Sequence, residues 1–218
     1  MITTILSSKG GVGKSMLALN LAVAAADSGA KVLLIDSDPQ GSIAHAFVTR
    51  QTSAASLKLY DIDFKSVLDD TIFGVLTQSL ADYDEVYIDT IGFDCSFIWR
   101  IAAESQLVIV PVAAGMGDVN VAAEVATKLM YLQSNGCNLQ ARCIRTNYQA
   151  RTRMAATISA NLAFFSTTLP ELKNVVSSRT VYADAFSYGT GVIEYDPRSA
   201  AAKEMKELYT ELFTDFSG

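Results

Sequence analysis

Residue types that often carry chemistry are scarce in this sequence of 218 residues. It has one histidine, His45, and three cysteines, Cys95, Cys137 and Cys143, none of which forms a metal-type CxxC pair. Free cysteine behaves mainly as a small buried hydrophobe, so we expect reduced thiols in or near the core. His45 is interpreted as a surface helix residue, and catalysis by histidine is disfavoured.

Long apolar runs are also missing. The longest strongly apolar stretch, Met16 to Ala26 with Asn20 inside it, is too short to span a membrane. The first residues lack the basic start, apolar middle and cleavage site of a secretory signal, so we expect a cytoplasmic protein. Only 18% of residues are charged and 50% are hydrophobic, which favours a folded core over disorder. The length suits one α/β domain covering residues 1–218.

The net charge is −6, so the chain as a whole is not an electrostatic binder of nucleic acid. Any contact with DNA requires a local basic patch, or a surface made by joining two subunits, whose field outweighs the acidic remainder.

Short apolar segments alternate with longer helical ones along the chain. Predicted strands are "ITTIL", "KVLLID", "EVYIDT", "QLVIVPV" and "LQARCIRT", and predicted helices are 14–28, 64–80, 94–104 and 118–134. The segment 199–216 places Met205, Leu208, Leu212 and Phe216 at steps of three and four, which predicts an amphipathic closing helix. This order indicates an α/β fold with a mainly parallel twisted sheet and helices on both faces.

The segment "SSKGGVGKS", residues 7–15, follows the first predicted strand and opens the first helix. Its glycines permit the backbone N–H groups to face inward, and the helix directs its positive end at the same point. In such a phosphate loop Lys14 reaches the β- and γ-phosphates and the Ser15 hydroxyl binds Mg²⁺. Ser8 stands where the usual pattern has its first glycine, and Lys9 is an additional lysine.

Aspartates end two further predicted strands. Asp36 and Asp38 follow "VLLI", and Asp89 ends "EVYID". Such residues often only cap the next helix or turn. Because open parallel sheets bind ligands at the carboxyl ends of their strands, and Mg²⁺ prefers oxygen ligands, the set of three favours a Mg·ATP site.

With "VLLIDSDPQGS", "YDEVYIDTIG" and "SQLVIVPV", the phosphate loop makes the chain resemble the ParA/MinD family of deviant Walker-type ATPases. The tail "RTVYADAFSYGTGVIEYDPRSAAAKEMKELYTELF" is similar to that of its small plasmid-partition branch, the ParF-like proteins. The resemblance thus spans nearly the whole chain and implies a single P-loop NTPase domain with ATP and Mg²⁺ as cofactors.

The resemblance also implies roles for particular residues. Lys9 would reach across an ATP-bound dimer to the partner's phosphates, like an arginine finger, and Asp38 would position the attacking water. Asp36 and Asp89 would lie around the hydrated Mg²⁺, and Thr90 to Gly92 would form a switch loop. The expected catalytic residues are Lys9, Lys14 and Asp38, and the expected metal residues are Ser15, Asp36 and Asp89.

The chain departs from the family pattern at two places. Met16 stands where relatives commonly have a second threonine. The stretch "CIRTNYQARTRM" matches the family's base-binding region loosely, and either Thr146 or Asn147 would contact adenine. The expected nucleotide contacts are Lys9, Gly10, Gly11, Val12, Gly13, Lys14, Ser15, Met16 and Asn147.

Basic residues are concentrated in two parts of the chain: Arg142, Arg145, Arg151 and Arg153, and then Arg179, Arg198, Lys203 and Lys206. A solvated helix face is one interpretation. The other is a phosphate-tracking surface for nonspecific DNA, in which we name Arg151, Arg153, Arg179 and Lys203 as the contacts.

The resemblance implies a partition ATPase that forms an ATP-dependent homodimer, and higher assemblies built from it, on nucleoid DNA. A small centromere-binding adaptor protein would stimulate hydrolysis. Alternatives are a positioner of protein cargo, a conjugation accessory ATPase, a MinD-like membrane-associated regulator and an iron–sulfur electron-transfer relative. The acidic Glu207, Glu211 and Asp215 argue against the membrane reading, and the position of Cys137 argues against the cluster.

Overall fold

A six-stranded parallel sheet organises the chain. The structure is a computed structural model that describes residues 1–53, 56–113, 115–150 and 152–214. The strands are β1 (Ile2–Ile5), β2 (Val32–Ser37), β3 (Asp63–Ser66), β4 (Glu85–Thr90), β5 (Leu107–Val112) and β6 (Gln140–Arg145). Their spatial order is β3-β2-β4-β1-β5-β6, and every pair is parallel. The predicted fold class is confirmed.

Helices cover both faces of the sheet. They are α1 (Lys14–Asp27), α2 (Ser42–Ser53), α3 (Thr71–Asp82), α4 (Ser96–Ala103), α5 (Met116–Ser134), α6 (Arg153–Leu162), α7 (Thr180–Ser187), α8 (Val192–Tyr195) and α9 (Ala200–Thr214). Successive strand residues serve opposite faces, so Leu34 of β2 packs in the core with α1 and α9 whereas Leu33 and Ile35 pack with α3. Burial on both faces explains why β2, β4 and β5 are buried at every position.

The prediction of one helix over residues 64–80 was wrong in its first part. Residues Asp63–Ser66 form β3, an edge strand that pairs with β2, and the helix begins only at Thr71. Asp69 accepts a hydrogen bond from the Thr71 backbone N–H at 3.0 Å, so it stabilises the turn that leads into the helix. Pairing with β2 outweighs local helix propensity for "DFKS", as is common in short segments.

The predicted amphipathic closing helix is confirmed as α9. Met205, Leu208 and Leu212 are buried in the core that contains α1, while Phe216 lies outside the described residues. Because this apolar face packs against the protein interior, it is not available to a membrane surface in this structure. Among the described residues, no helix is long and apolar enough to cross a membrane.

A buried ion pair holds α2 in place. Arg50, near the end of α2, donates to both carboxylate oxygens of Glu194 at 2.6 and 2.7 Å, and the exposed fractions of the two side chains are 8% and 0%. Glu194 also accepts the backbone N–H groups of Tyr60 and Gly191. Sequence reasoning missed this pair. It matters because the other end of α2 lies at the edge of the sheet where the strands terminate.

We expect Arg50→Ala to lower the free energy of unfolding by about 3–5 kcal/mol, since it leaves Glu194 charged, buried and without its main partner. Urea denaturation followed by circular dichroism measures this. Lys203→Ala is the matched control, because Lys203 pairs with Glu207 at 3.6 Å on the surface, where such a pair contributes at most about 1 kcal/mol. Equal losses in the two variants would contradict the assignment.

Candidate functional site

The loop between β1 and α1 has the geometry of a phosphate cradle. Gly11 and Gly13 have φ values of 77° and 91°, which side chains disfavour, and Gly13 directly precedes α1. No acidic residue occupies the first turn of α1 to compensate the free N–H groups. The loop therefore presents backbone donors and the positive end of a 14-residue helix at one point.

The Lys14 side chain lies beneath this loop and is 6% exposed. Its Nζ donates to the Lys9 carbonyl at 3.3 Å. Burial lowers the pKa of Lys14, whereas Asp89 and Asp38 act in the opposite direction. Gly92 packs so closely that a Cβ atom there would lie 3.0 Å from this Nζ and 3.1 Å from the Gly10 Cα. The segment predicted as a switch loop thus contacts the phosphate loop directly.

Asp89 is the unusual carboxylate of the site. It is fully buried, and among the described residues neither of its oxygens has a hydrogen-bond partner of ordinary geometry. Burial raises the pKa of Asp89 to about 7, with Ser15 and Lys14 lowering it and Asp36 and Asp38 raising it. A buried carboxylate with so few partners is costly to keep charged, so Asp89 is a candidate to face a cation.

Asp36 lies opposite Asp89 in the pairing of β2 with β4, but its carboxylate is already engaged. It accepts backbone N–H groups from Asp38 at 3.0 Å, from Ile43 at 3.1 Å and from Ala44 at 3.0 Å. It thereby caps the start of α2, which is one of the two roles that the sequence left open. Burial raises the pKa of Asp36, partly opposed by these bonds.

Asp38 lies beside the phosphate loop. Its Oδ1 accepts the Gln40 N–H at 2.9 Å, and its side chain borders a cavity of about 620 Å³. The lining residues are Gly10, Gly11, Gly13, Lys14, Ser15, Met16, Asp38, Pro39, Gln40, Ser42, Ile91, Gly92, Phe93 and Phe186. The structure therefore brings Lys14, Ser15 and Asp38 to one cavity, with Asp89 buried below it. Phe186 was not predicted from the sequence.

A second cavity of about 310 Å³ adjoins the first through Gly11, Gly13, Met16 and Phe186. Its other lining residues are Val12, Thr146, Asn147, Val176, Ser177, Ser178, Arg179, Tyr182 and Ala183. The Thr146 hydroxyl donates to the Val12 carbonyl at 2.8 Å and is buried, so it braces the phosphate loop. Asn147, exposed and with φ of 49°, is the one of the two candidates that is open to a ligand.

Lys9 does not line either cavity. Its side chain, 47% exposed, turns to the start of α5, where Nζ lies 2.5 Å from Oδ1 of Asp118. Asp118 also accepts the Gly115 N–H at 3.0 Å and so caps α5. The lysine is held at the rim of the phosphate loop within its own chain.

The chain is similar to known nucleotide-binding proteins. Residues 3–213 match the family described as the CobQ/CobB/MinD/ParA nucleotide binding domain. The chain belongs to this family. The chromosome-partitioning ATPase Soj of Thermus thermophilus is 27% identical over 231 residues, covering 94% of this chain and 92% of that protein.

Two solved structures share the fold. A plasmid partition protein of Borrelia burgdorferi bound to AMPPNP has a TM-score of 0.76 and 22% identity, covering 98% of each chain. The septum site-determining protein MinD of Pyrococcus horikoshii, complexed with Mg-ADP, has a TM-score of 0.74 and 19% identity, covering 97% of this chain and 95% of that one. Both structures thus hold a nucleotide in the same fold, and the second also holds magnesium, the two cofactors that the sequence predicts for this chain.

In this member of the family, those predicted DNA contacts that the structure describes do not form one patch of unpaired charge. Arg153 is exposed at the start of α6, and Arg151 lies outside the described residues. Arg179 donates to Glu204 at 2.8 Å, and Lys203 pairs with Glu207. Pairing with carboxylates reduces the field available to a phosphate backbone, so the DNA assignment stays a prediction.

The three cysteines and the single histidine lie where the sequence predicts, in or near the core and on the surface of a helix respectively. Cys143 is buried, and burial raises the pKa of its thiol well above its usual range. Cys95 and Cys137 are partly buried against the same core, and His45 is exposed on α2. Within the described part of the chain no group of three or more His, Cys, Asp or Glu residues is arranged to hold a metal ion. A magnesium site here would therefore need ligands from a bound nucleotide and water.

Proposed function

We propose that this chain is a partition-type ATPase that hydrolyses ATP to ADP and phosphate. ATP closes two subunits, and the closed dimer binds nonspecific DNA. A small centromere-binding adaptor stimulates hydrolysis, which releases the dimer from the DNA. The proposed location is the cytoplasm, with the ATP-bound dimer on the nucleoid. Similarity to a chromosome-partitioning ATPase over 94% of the chain supports the cellular role.

One observation carries the proposal: the phosphate loop has two lysines with different surroundings. Lys14 is buried in the cavity, where it reaches the nucleotide of its own subunit, while Lys9 is half exposed at the rim. A ligand shifts a conformational equilibrium only by interacting differently with the two states. A lysine outside its own cavity supplies that difference, because it meets phosphate only when a second subunit closes on it.

The proposed mechanism uses the residues of the first cavity. Backbone N–H groups of residues 10–15 hold the phosphates, and the Lys14 ammonium balances charge on the β- and γ-phosphates. Asp38, at the cavity wall, accepts a hydrogen bond from the attacking water and orients it toward the γ-phosphate. The close contact of Gly92 with Lys14 and Gly10 supports a role for the switch loop in sensing that phosphate.

The residues present fit a magnesium ion. Among the described residues, neither buried oxygen of Asp89 has a hydrogen-bond partner of ordinary geometry, and the Ser15 hydroxyl lies beside them. These are the hard oxygen donors that Mg²⁺ prefers, whether directly or through water. When bound, the ion would neutralise phosphate charge. Asp36, whose oxygens cap α2, would act by orienting water.

ATP hydrolysis measured with and without DNA and with the adaptor tests the whole proposal, with Lys9→Ala as control. We expect weak basal turnover that rises at least tenfold when both are present, because partner-supplied groups complete such sites. A gel shift with ATP at low and moderate salt tests DNA separately, and affinity should fall steeply with salt. Absence of binding at both salt concentrations would remove DNA from the proposal.

A further inference from the structure

The wall of the second cavity opposite the phosphate loop is built from the tail of the chain. Its loop, residues 176–179, contains no helix or strand and leads into α7, which contributes Tyr182, Ala183 and Phe186 to the same wall. On one side the loop is held by β6 and its continuation: the Tyr148 N–H donates to the Val176 carbonyl and the Ser178 N–H to the Tyr148 carbonyl, each at 2.9 Å.

On its other side the 176–179 loop is held by one carboxylate on α9. Glu204 accepts the Ser177 hydroxyl at 2.7 Å, the Ser177 N–H at 3.3 Å, the Arg179 Nη2 and Nε at 2.8 and 3.1 Å, and the Tyr182 hydroxyl at 3.1 Å. Three wall residues thus converge on a side chain that does not itself line the cavity. The Arg-x-x-Tyr order of the tail, Arg179 and Tyr182, is explained by this shared acceptor.

We propose that Glu204 is a positioning residue for the nucleoside: it fixes the Ser177, Arg179 and Tyr182 wall against which the base and ribose of the bound nucleotide pack. This rests on the proposed function, in which the first cavity holds the phosphates of ATP. The second cavity adjoins the first, and the charge of Arg179, which lines it, is paired with Glu204, so the cavity suits the uncharged part of the nucleotide. A wall that is ordered before binding avoids the entropy cost of ordering it during binding.

The same arrangement assigns Arg179 differently from the DNA prediction. Its guanidinium is tied to Glu204 beside the second cavity, and its side chain is 41% exposed. Because Arg179 lines the second cavity, loss of its acceptor Glu204 is expected to alter the cavity wall.

Glu204→Gln keeps the side-chain size and removes the charge that pairs with Arg179. We expect the KM for ATP to rise about five- to tenfold while kcat at saturating ATP stays unchanged. Tripolyphosphate, titrated by calorimetry, should bind the variant as it binds wild type, because it has no base to place in the second cavity. Glu207→Gln is the control and should have the wild-type KM, because Glu207 lies on the same helix and its side chain pairs with the exposed Lys203.

Equal loss of ATP and tripolyphosphate affinity, or an unchanged KM, would overturn the role of Glu204. If Glu204→Gln does not fold, Tyr182→Phe removes one bond to the carboxylate and should raise the KM about two- to threefold; no change there would likewise overturn it. A wild-type protein that binds neither ATP nor tripolyphosphate would overturn the proposed function and this inference together. Wild-type binding of both with a wild-type-like Glu204→Gln would overturn the inference alone.

Discussion

Lys9→Ala protein is expected to bind ATP nearly as tightly as wild type and to remain monomeric in its presence. The side chain contributes to neither cavity and is turned toward Asp118, so its removal leaves the nucleotide contacts of the monomer intact. The proposed closed dimer, in contrast, would lose the charge that we propose meets the partner's phosphates. By analogy with a residue supplied in trans, hydrolysis should fall by about 10³-fold or more.

Light scattering with ATP measures the dimer, and calorimetry measures nucleotide binding. Lys14→Gln is the opposite control, since Lys14 lines the phosphate cavity and its loss should remove nucleotide binding itself. Normal ATP-dependent dimerisation of Lys9→Ala would contradict the proposed role of Lys9. Loss of ATP binding in both variants alike would show that Lys9 acts inside its own site.

A second variant examines the contact that Lys9 makes in the monomer. Asp118→Asn keeps an oxygen for the Gly115 N–H but removes the charge that holds Lys9. If Lys9 must leave Asp118 when the subunits close, the variant should dimerise up to about fivefold more tightly in ATP, which is the range of a half-exposed ion pair. Weaker dimerisation would indicate instead that Asp118 helps to form the dimer.

The phosphate loop and the aspartates were predictable because their geometry is local. Gly11, Gly13 and Lys14 lie within a few residues of one another, and Asp36 and Asp89 follow from the rule that parallel strands end at one edge. What the sequence could not distinguish was the use of each carboxylate: Asp36 caps α2, whereas Asp89 accepts no backbone N–H among the described residues. That difference depends on which backbone N–H groups the fold brings near.

The missed features all join distant parts of the chain. Arg50 and Glu194 are 144 residues apart, and Glu204 lies 25 residues from Arg179 across a turn and two helices. No spacing rule predicts such pairs, because the packing of α2, α7, α8 and α9 around α1 decides which faces meet. The edge strand β3 was missed for the same reason, since its neighbour β2 gives it its conformation.

Asp89→Asn is expected to change stability and activity in opposite directions. Asp89 is a buried carboxylate whose oxygens have no partner of ordinary geometry among the described residues, and burial raises its pKa from 3.8 to about 7. An acid whose pKa is raised by folding costs stability once the pH exceeds its unfolded pKa. The shift corresponds to at most about 4 kcal/mol; we expect a gain of about 1–2 kcal/mol for Asn, whose amide also needs partners.

The pH dependence of stability distinguishes the cost of a buried charge on Asp89 from a general packing effect. Wild-type protein should lose stability relative to Asp89→Asn as the pH rises from about 4 to 7, because Asp89 then takes on a buried charge. The advantage of the variant should be constant above about pH 8 and vanish near pH 4. Thermal unfolding without nucleotide at pH 5 and pH 8 measures it.

With Mg²⁺ and ATP present, wild-type protein should be more stable than Asp89→Asn. Wild-type protein gains the charged partner that its buried carboxylate lacks, whereas the asparagine variant offers only a neutral oxygen, so hydrolysis should fall at least 10²-fold. Stabilisation by the ligand should shrink as well, because binding to the folded state raises stability with the logarithm of the affinity. An Asp89→Asn protein that is less stable at pH 8 and hydrolyses ATP normally would exclude Asp89 from the magnesium site.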